Sequence, residues 1–543
     1  MRHGIIPARR SVPWSTRAQL RSPEVGNPNV RNGGEQLTSV LFPSGGAAPD
    51  VDAPPDCFHD LRLGDIVAAV CEGYPDDRVT RLFYQPLRDV SAVQHRHQVF
   101  ADLERSNVRQ SIKDFTDAMA TMHGQLRQSD WVQHRWQRLG WFVHAVSTFC
   151  NAVIPLRDGL ARNAVTSRGL RDIAGYLGGY LDSDTFHTLA DDTRATLTEL
   201  GKIRYTVHIH GRHVRVEKYS GQADYSHDAY SLFERFASEI NRDYGVPIKD
   251  DAEMNPVEQR VLECVANLYP DAFTRLEEFF RRHHHFIEPT ISRFDREIRF
   301  YLLYLAFVER FTAAGVSFSY PEVTDTPGAL SADQACDLAL AIKTEGEQTA
   351  LVGNAFHLSG PERVLVVTGP NQGGKTTFAR TIGQCAYLAS LGCPVPAKRA
   401  VFTLPDAIYT HFDRQETLSN PHGKFHDELV RIRDILSQAT AASLIIMNES
   451  FSSTTVSDAL QIGSDIIRRI IKRDSTAIYV SFLGELARVD PACVSMVGEV
   501  AADDPTRRTF TFTRRSADGL AYAAALAAKY GLTYDILSQR ITS

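Results

Sequence analysis

Apolar positions recur at helical spacing through most of the first 315 residues. Val90, Val93, Val99, Phe100 and Leu103 trace one side of an amphipathic helix, and the pattern from about Cys57 to Leu200 stays helical. The rhythm breaks over residues 203–219. Tyr205 to His210 alternates, Gly211 and Arg212 offer a turn, and His213 to Val216 alternates again, which predicts a β-hairpin. One face would carry Val207, Ile209, Val214 and Val216; the other would carry His208, His210, His213 and Arg215. Helical spacing resumes from Asp224 to about Gly315, with stripes at Phe233, Phe236 and Ile240 and at Phe279, Phe280, Phe286 and Ile287. After Pro321 and Pro327 the pattern changes to short, fully apolar, β-branched runs alternating with helices, as in a mainly parallel sheet with covering helices. The expected organisation is multidomain: an extension over 1–55, rich in Pro, Gly, Ser and Arg and read as disordered; an all-α region over 56–328 interrupted by the hairpin; and an α/β domain over 329–543.

Composition narrows the function. At 543 residues the chain exceeds one domain, and a hydrophobic content of 43% supplies sizeable cores. The net charge of −6 argues against wholesale nucleic-acid binding, so any DNA contact needs a local basic surface. Arg212 and Arg215 on the hairpin are the candidates, against the simpler reading of a solvated face. The run Arg281, Arg282, His283, His284, His285 reads as a solvated, charged helix face, and Trp131, Trp136 and Trp141 read as helix-packing residues. The eight cysteines are scattered with no C-x-x-C pair, which suits a reducing cytoplasm and not a structural zinc site. The arginine-rich start resembles a transit peptide but has no secretory apolar core. No apolar run is expected to span a membrane.

The chemistry gathers in the second half. Residues 364–377 read V-L-V-V-T-G-P-N-Q-G-G-K-T-T, and Gly369, Gly374, Lys375 and Thr376 fit the phosphate-loop pattern G-x-x-x-x-G-K-S/T. Glycines let backbone N–H groups curl around phosphate oxygens, a lysine reaches the terminal phosphates and a hydroxyl holds Mg²⁺. The helix that follows presents its N-terminus to the same anion. A second buried-strand run, from Ser443 to Met447, ends in Asn448 and Glu449. A nucleotide hydrolase uses Asp-Glu here, the Asp for Mg²⁺ and the Glu for the attacking water. Asn448 can accept a hydrogen bond but brings no charge to the cation, so weaker Mg²⁺ binding and slower hydrolysis are expected. Glu449 is the candidate catalytic carboxylate.

These residues resemble the MutS family of mismatch-repair ATPases, whose loop typically reads T-G-P-N-M-G-G-K-S-T. Val352, Gly353 and Asn354 are similar to a V-x-N element that lies beside the nucleotide base. The stretch 392–397 is similar to G-x-x-V-P-A, and 448–458 to D-E-x-G-R-G-T-S-T-x-D. The tail from Asp518 through Ile536 resembles the family's C-terminal segment, and 85–96 the P-L-x-D…R start of its core domain. The resemblance implies an ABC-type ATPase domain that binds ATP and Mg²⁺ through Asn354, Gly369, Pro370, Asn371, Gln372, Gly373, Gly374, Lys375, Thr376, Thr377 and Asn448, with Thr376 on the metal. It implies a homodimer closing its ATP sites between subunits, with helical arms that engage mismatched, branched or distorted duplex DNA.

The departures are specific. Asn448 replaces Asp, Ser452 and Ser453 replace Arg-Gly, and Phe482 stands where the family has a switch-strand His. The family's S-T-F-x-x-E element, which completes a partner's ATP site, is matched only by Phe425 and Glu428, with Lys424 offering a charge in place of the hydroxyls. No N-terminal mismatch-reading F-x-E motif is expected, because Phe307-Val308-Glu309 sits inside a helical run. Two functions follow: an ATP-switched DNA-binding clamp, or a nucleotide-binding interaction protein that hydrolyses nothing.

Overall fold

A computed structural model describes residues 38–43, 51, 53–74, 76–210, 213–221, 254–347, 351–412, 424–451, 454–501, 503–504 and 507–517. The first part is helical: α1 (Cys57–Leu61), α2 (Leu63–Val70), α3 (Asp77–Leu82), α4 (Val90–Glu104), α5 (Ser106–Trp131), α6 (Arg135–Arg162), α7 (Arg168–Leu181) and α8 (Asp184–Gly201). The hairpin β1 (Tyr205–His210) and β2 (His213–Lys218) follows, then α9 (Pro256–Leu268), α10 (Pro270–His283) and α11 (Pro289–Ala313). Local signals start these helices. Asp89 accepts from Ser91 N ahead of α4, and Asn255 and Glu258 form a capping box ahead of α9, with Pro256 at its first position. On α4 the expected Val93, Val99, Phe100 and Leu103 are buried.

The hairpin has the expected register, Val207 opposite Val216 and His208 opposite Arg215. Its apolar face is partly open, with Val207 and Val214 exposed. Its basic face is tempered by Glu217, which pairs with both Arg215 and His208. The proposed turn contact Arg212, the stripe at Phe233, Phe236 and Ile240, residues Ser452 and Ser453, and the tail from Asp518 lie outside the described residues.

Several expectations change. Trp136 packs edge-on against Phe273, but Trp131 ends α5 in solvent, 65% exposed. The run Arg281 to His285 is largely solvent-facing as expected, with only His283 partly covered, and Arg282 and His283 also pair with Asp192. Helix α6 is, by length and composition, apolar enough to cross a membrane, contrary to the reading that no run is. Just over half of that stretch, 56%, is buried inside the protein against its neighbouring helices, the pattern of a core helix. Phe307 lies buried in the middle of α11, as its helical setting implies. Within the expected extension, Ser39, Val40 and Leu41 are buried in the core, because Glu297 and Arg96 satisfy their backbone.

The second part holds two sheets. β3 (Glu322–Thr324), β4 (Leu330–Ala335), β5 (Asn354–Leu358) and β7 (Arg399–Thr403) form one in the order β3-β7-β4-β5. β3 precedes the expected boundary at 329 and pairs in parallel with β7. The larger sheet runs β12-β11-β6-β10-β9-β8, from β6 (Val364–Thr368), β8 (Ile408–Phe412), β9 (Leu444–Asn448), β10 (Thr476–Val480), β11 (Cys493–Val500) and β12 (Arg508–Arg514). All its neighbours are parallel except β11 and β12. Its helices are α13 (Lys375–Ser390), α14 (Lys424–Gln438) and α15 (Val456–Lys472); the short α12 (Leu338–Lys343) belongs to the smaller sheet's connections. Along β6, Leu365 and Val367 enter one apolar core while Val364 and Val366 enter another. Burial on both faces is why the strand is continuously apolar rather than alternating. The first of these cores is continuous from Val40 through the long helices to α13, so the helical part and the sheet share one interior.

Candidate nucleotide site

β6 delivers the chain to the C-terminal edge of the parallel strands, where ligands of open α/β sheets bind. The loop then turns tightly: Gly373 N donates to Pro370 O over 3.1 Å. Gly369 has φ 141° and Gly374, the N-cap of α13, has φ 87°. A side chain at Gly373 would meet Pro370 O at 2.8 Å, a backbone atom that has nowhere to go. Gln372 also adopts a left-handed φ of 58°, a cost that tight anion-binding loops accept in exchange for aiming their N–H groups inward.

Lys375 opens α13 and is nearly fully buried. Its Nζ lies 3.3 Å from Gly369 O, 3.3 Å from Pro370 O, 3.4 Å from Asn371 Oδ1 and 3.5 Å from Glu449 Oε1. An ammonium surrounded by neutral carbonyls and one half-exposed carboxylate is poised for a stronger anion. Thr376 Oγ1 donates to Asn448 Oδ1 over 3.1 Å. The loop hydroxyl and the end of β9 therefore meet, although 72 residues separate them, and β10 lies between β6 and β9 in the sheet. Thr376 and Asn448 offer the oxygen donors that Mg²⁺ takes, with one negative charge fewer than an Asp at 448 would supply. Glu449 sits just beyond β9 with φ 53°, its N–H donating to Val480 O.

Other expected residues make contacts within the chain. Asn354 spends its amide on the backbone of β12: Oδ1 accepts from Phe512 N at 2.8 Å and Nδ2 donates to Phe510 O at 3.0 Å. It ties β5 to β12. Glu428, expected to serve a partner subunit, is buried and accepts from Phe451 N at 3.0 Å within its own chain. Phe425 meets the Phe451 ring edge-on at 6.1 Å. Lys424 begins α14, but its side chain lies outside the described residues. Phe482, in the place of the family's histidine, is 54% exposed beside the buried Ser481, whose hydroxyl accepts from Leu483 N.

Two site residues escaped the sequence reading. Phe510, left-handed and half exposed, brings its ring to 3.3 Å from where a Cβ on Gly374 would stand. Arg508 donates to Asn371 O. The alternation of Arg508, Thr509, Phe510, Thr511 and Phe512 signals a strand, but only the sheet order puts that strand beside the loop.

With this geometry in view, similarity can be read on it. The family model of MutS domain V matches residues 365–534, a span that starts in β6 and takes in the loop, α13, β9 and β10. Over that span the chain is similar to the MutS family. The DNA mismatch repair protein MutS of Thermotoga sp. (strain RQ2) is 27% identical over 170 residues, 31% of this chain and 21% of that protein. MutS of Thermotoga neapolitana is 29% identical over the same extent. The DNA mismatch repair protein MSH3 of Yarrowia lipolytica is 24% identical over 269 residues, 46% of this chain and 27% of that protein. The chain thus matches between about a fifth and just over a quarter of these relatives' lengths.

Proposed function

We propose that this protein is a MutS-family, ABC-type nucleotide switch that binds ATP with Mg²⁺ at the loop 369–377, acts as a dimer and engages mismatched, branched or distorted duplex DNA in repair through its helical part. The observation that carries the reading is the meeting of Thr376 with Asn448 beside the buried Lys375. In this reading the loop N–H groups and Lys375 hold the phosphates, Thr376 and Asn448 hold the metal, and Glu449 orients the attacking water. Bound Mg²⁺ would supply charge neutralisation on the phosphates. Binding energy from ATP shifts the population between open and DNA-engaged arrangements of the helices.

A second reading, an ATP-gated binding protein without turnover, is favoured by one observation: the neutral Asn448 is the group that meets the metal-binding hydroxyl. The deciding experiment is ATP turnover with no DNA and with homoduplex, mismatched or branched DNA, beside Lys375→Ala. Turnover that responds to one DNA form and vanishes in the variant supports the first reading. ATP binding without turnover above the variant supports the second. Absence of ATP binding by the unmodified chain overturns both.

A further inference from the structure

Residues 39–42 form a strap threaded through the interior more than 250 residues away from its main partner in the chain. Glu297, on α11, accepts from Ser39 Oγ at 2.7 Å, Val40 N at 3.0 Å and Leu41 N at 3.4 Å, and is steadied by Arg293 Nε at 2.6 Å. Val40 O accepts from Tyr301 Oη at 2.6 Å and faces His95 Nε2 at 3.1 Å. Leu41 O accepts from Arg96 Nε at 3.3 Å. Val40 and Leu41 are 0% exposed, and the Arg96 guanidinium lies 5.3 Å from the Phe42 ring and 5.1 Å from the Phe300 ring.

Such recognition works mainly through the strap's backbone, as in a bound peptide. Ser39 adds selectivity: its hydroxyl donates to Glu297 and accepts from Leu41 N and Phe42 N. The receptor joins three elements. Arg96 comes from α4, Glu297 and Tyr301 from α11, and Arg96 Nη1 also donates to Leu391 O, the C-cap of the phosphate-loop helix α13, at 2.7 Å. Arg96 is fully buried and faces carbonyls and rings, and burial pulls its pKa down. Without the strap, the buried Glu297 would lose three donors and the buried Arg96 one acceptor, which is strongly unfavourable.

We propose that the groove between α4, α11 and the end of α13 is a peptide-recognition site for a segment of the form Ser-apolar-apolar-aromatic. Its ligand is the chain's own residues 39–42, and their docking holds the long helix α11 against the end of the phosphate-loop helix.

The test uses the full chain carrying Val40→Asp and Leu41→Asp, which disables the strap in place, and a fluorescein-labelled peptide of residues 36–45. The peptide is expected to bind this chain saturably. Binding to the unmodified chain, where the strap competes, and to the double variant with added Glu297→Gln should be at least about tenfold weaker. Equal binding to all three, or no binding to a folded double variant, overturns the proposal. Should the double variant fail to fold, amide exchange decides: Val40 and Leu41 should exchange slowly in the unmodified chain and at least about tenfold faster in Glu297→Gln. Equal rates overturn it.

Discussion

Thr376 Oγ1 donates to the amide oxygen of Asn448 over 3.1 Å, so a neutral side chain occupies the place from which a carboxylate would face the metal. Restoring the charge should restore metal affinity. In Asn448→Asp we expect the Mg²⁺ concentration for half-maximal nucleotide binding to fall about tenfold, the scale of exchanging a neutral for a charged hydrogen-bond partner. Single-turnover hydrolysis at high enzyme concentration should rise with it. An unchanged Mg²⁺ dependence would remove Asn448 from the metal site.

Glu428 accepts from Phe451 N within its own chain, so we expect that its loss is not repaired by a partner. Glu428→Ala strands the buried Phe451 N–H and should cost about 1–3 kcal/mol of stability. It should also loosen the segment that carries Glu449. Mixing Glu428→Ala with Lys375→Ala should leave turnover at the sum of the two variants. Recovery on mixing would show instead that Glu428 completes the other subunit's site.

Asn354 couples the smaller sheet to β12 and so sets the position of Phe510 against the loop. Asn354→Ala should weaken nucleotide binding by about three- to tenfold, the value of one or two hydrogen bonds, with the fold intact. Phe510→Ala should reproduce the loss, and the double variant should add little to either alone. Additive losses would mean that Asn354 acts independently of Phe510.

Burial pushes the His97 imidazole down to about 4, and its Nε2 is enclosed without a hydrogen-bond partner among the described residues. The unfolded chain binds this proton near pH 6.5 while the folded chain resists it. His97 therefore contributes stability that is fully present above pH 6.5 and is lost as pH falls from there toward 4, of order 2 kcal/mol. Thermal melts should show the midpoint dropping across that window, and His97→Leu should flatten the drop. Burial shifts His95 in the same direction, so some acid sensitivity should persist in the variant.

What the amino-acid sequence determined by itself was whatever depends on neighbours along the chain. The phosphate loop is legible because its chemistry needs fixed residue types within nine positions of a strand and a helix start. The hairpin register, α4 and the strand ending at Asn448 are legible because periodicity records which faces are buried. Tertiary structure alone decided the rest, because pairing across the fold leaves no local pattern. Asn354 and Glu428 carry polar groups with several available uses, and only packing assigns them to backbone donors and acceptors 156 and 23 residues away. Phe510 reaches the loop only through the order of strands in the sheet. Residues 39–42 looked featureless because four residues show no period, yet a buried carboxylate and a buried guanidinium, brought together by helices far along the chain, need their backbone.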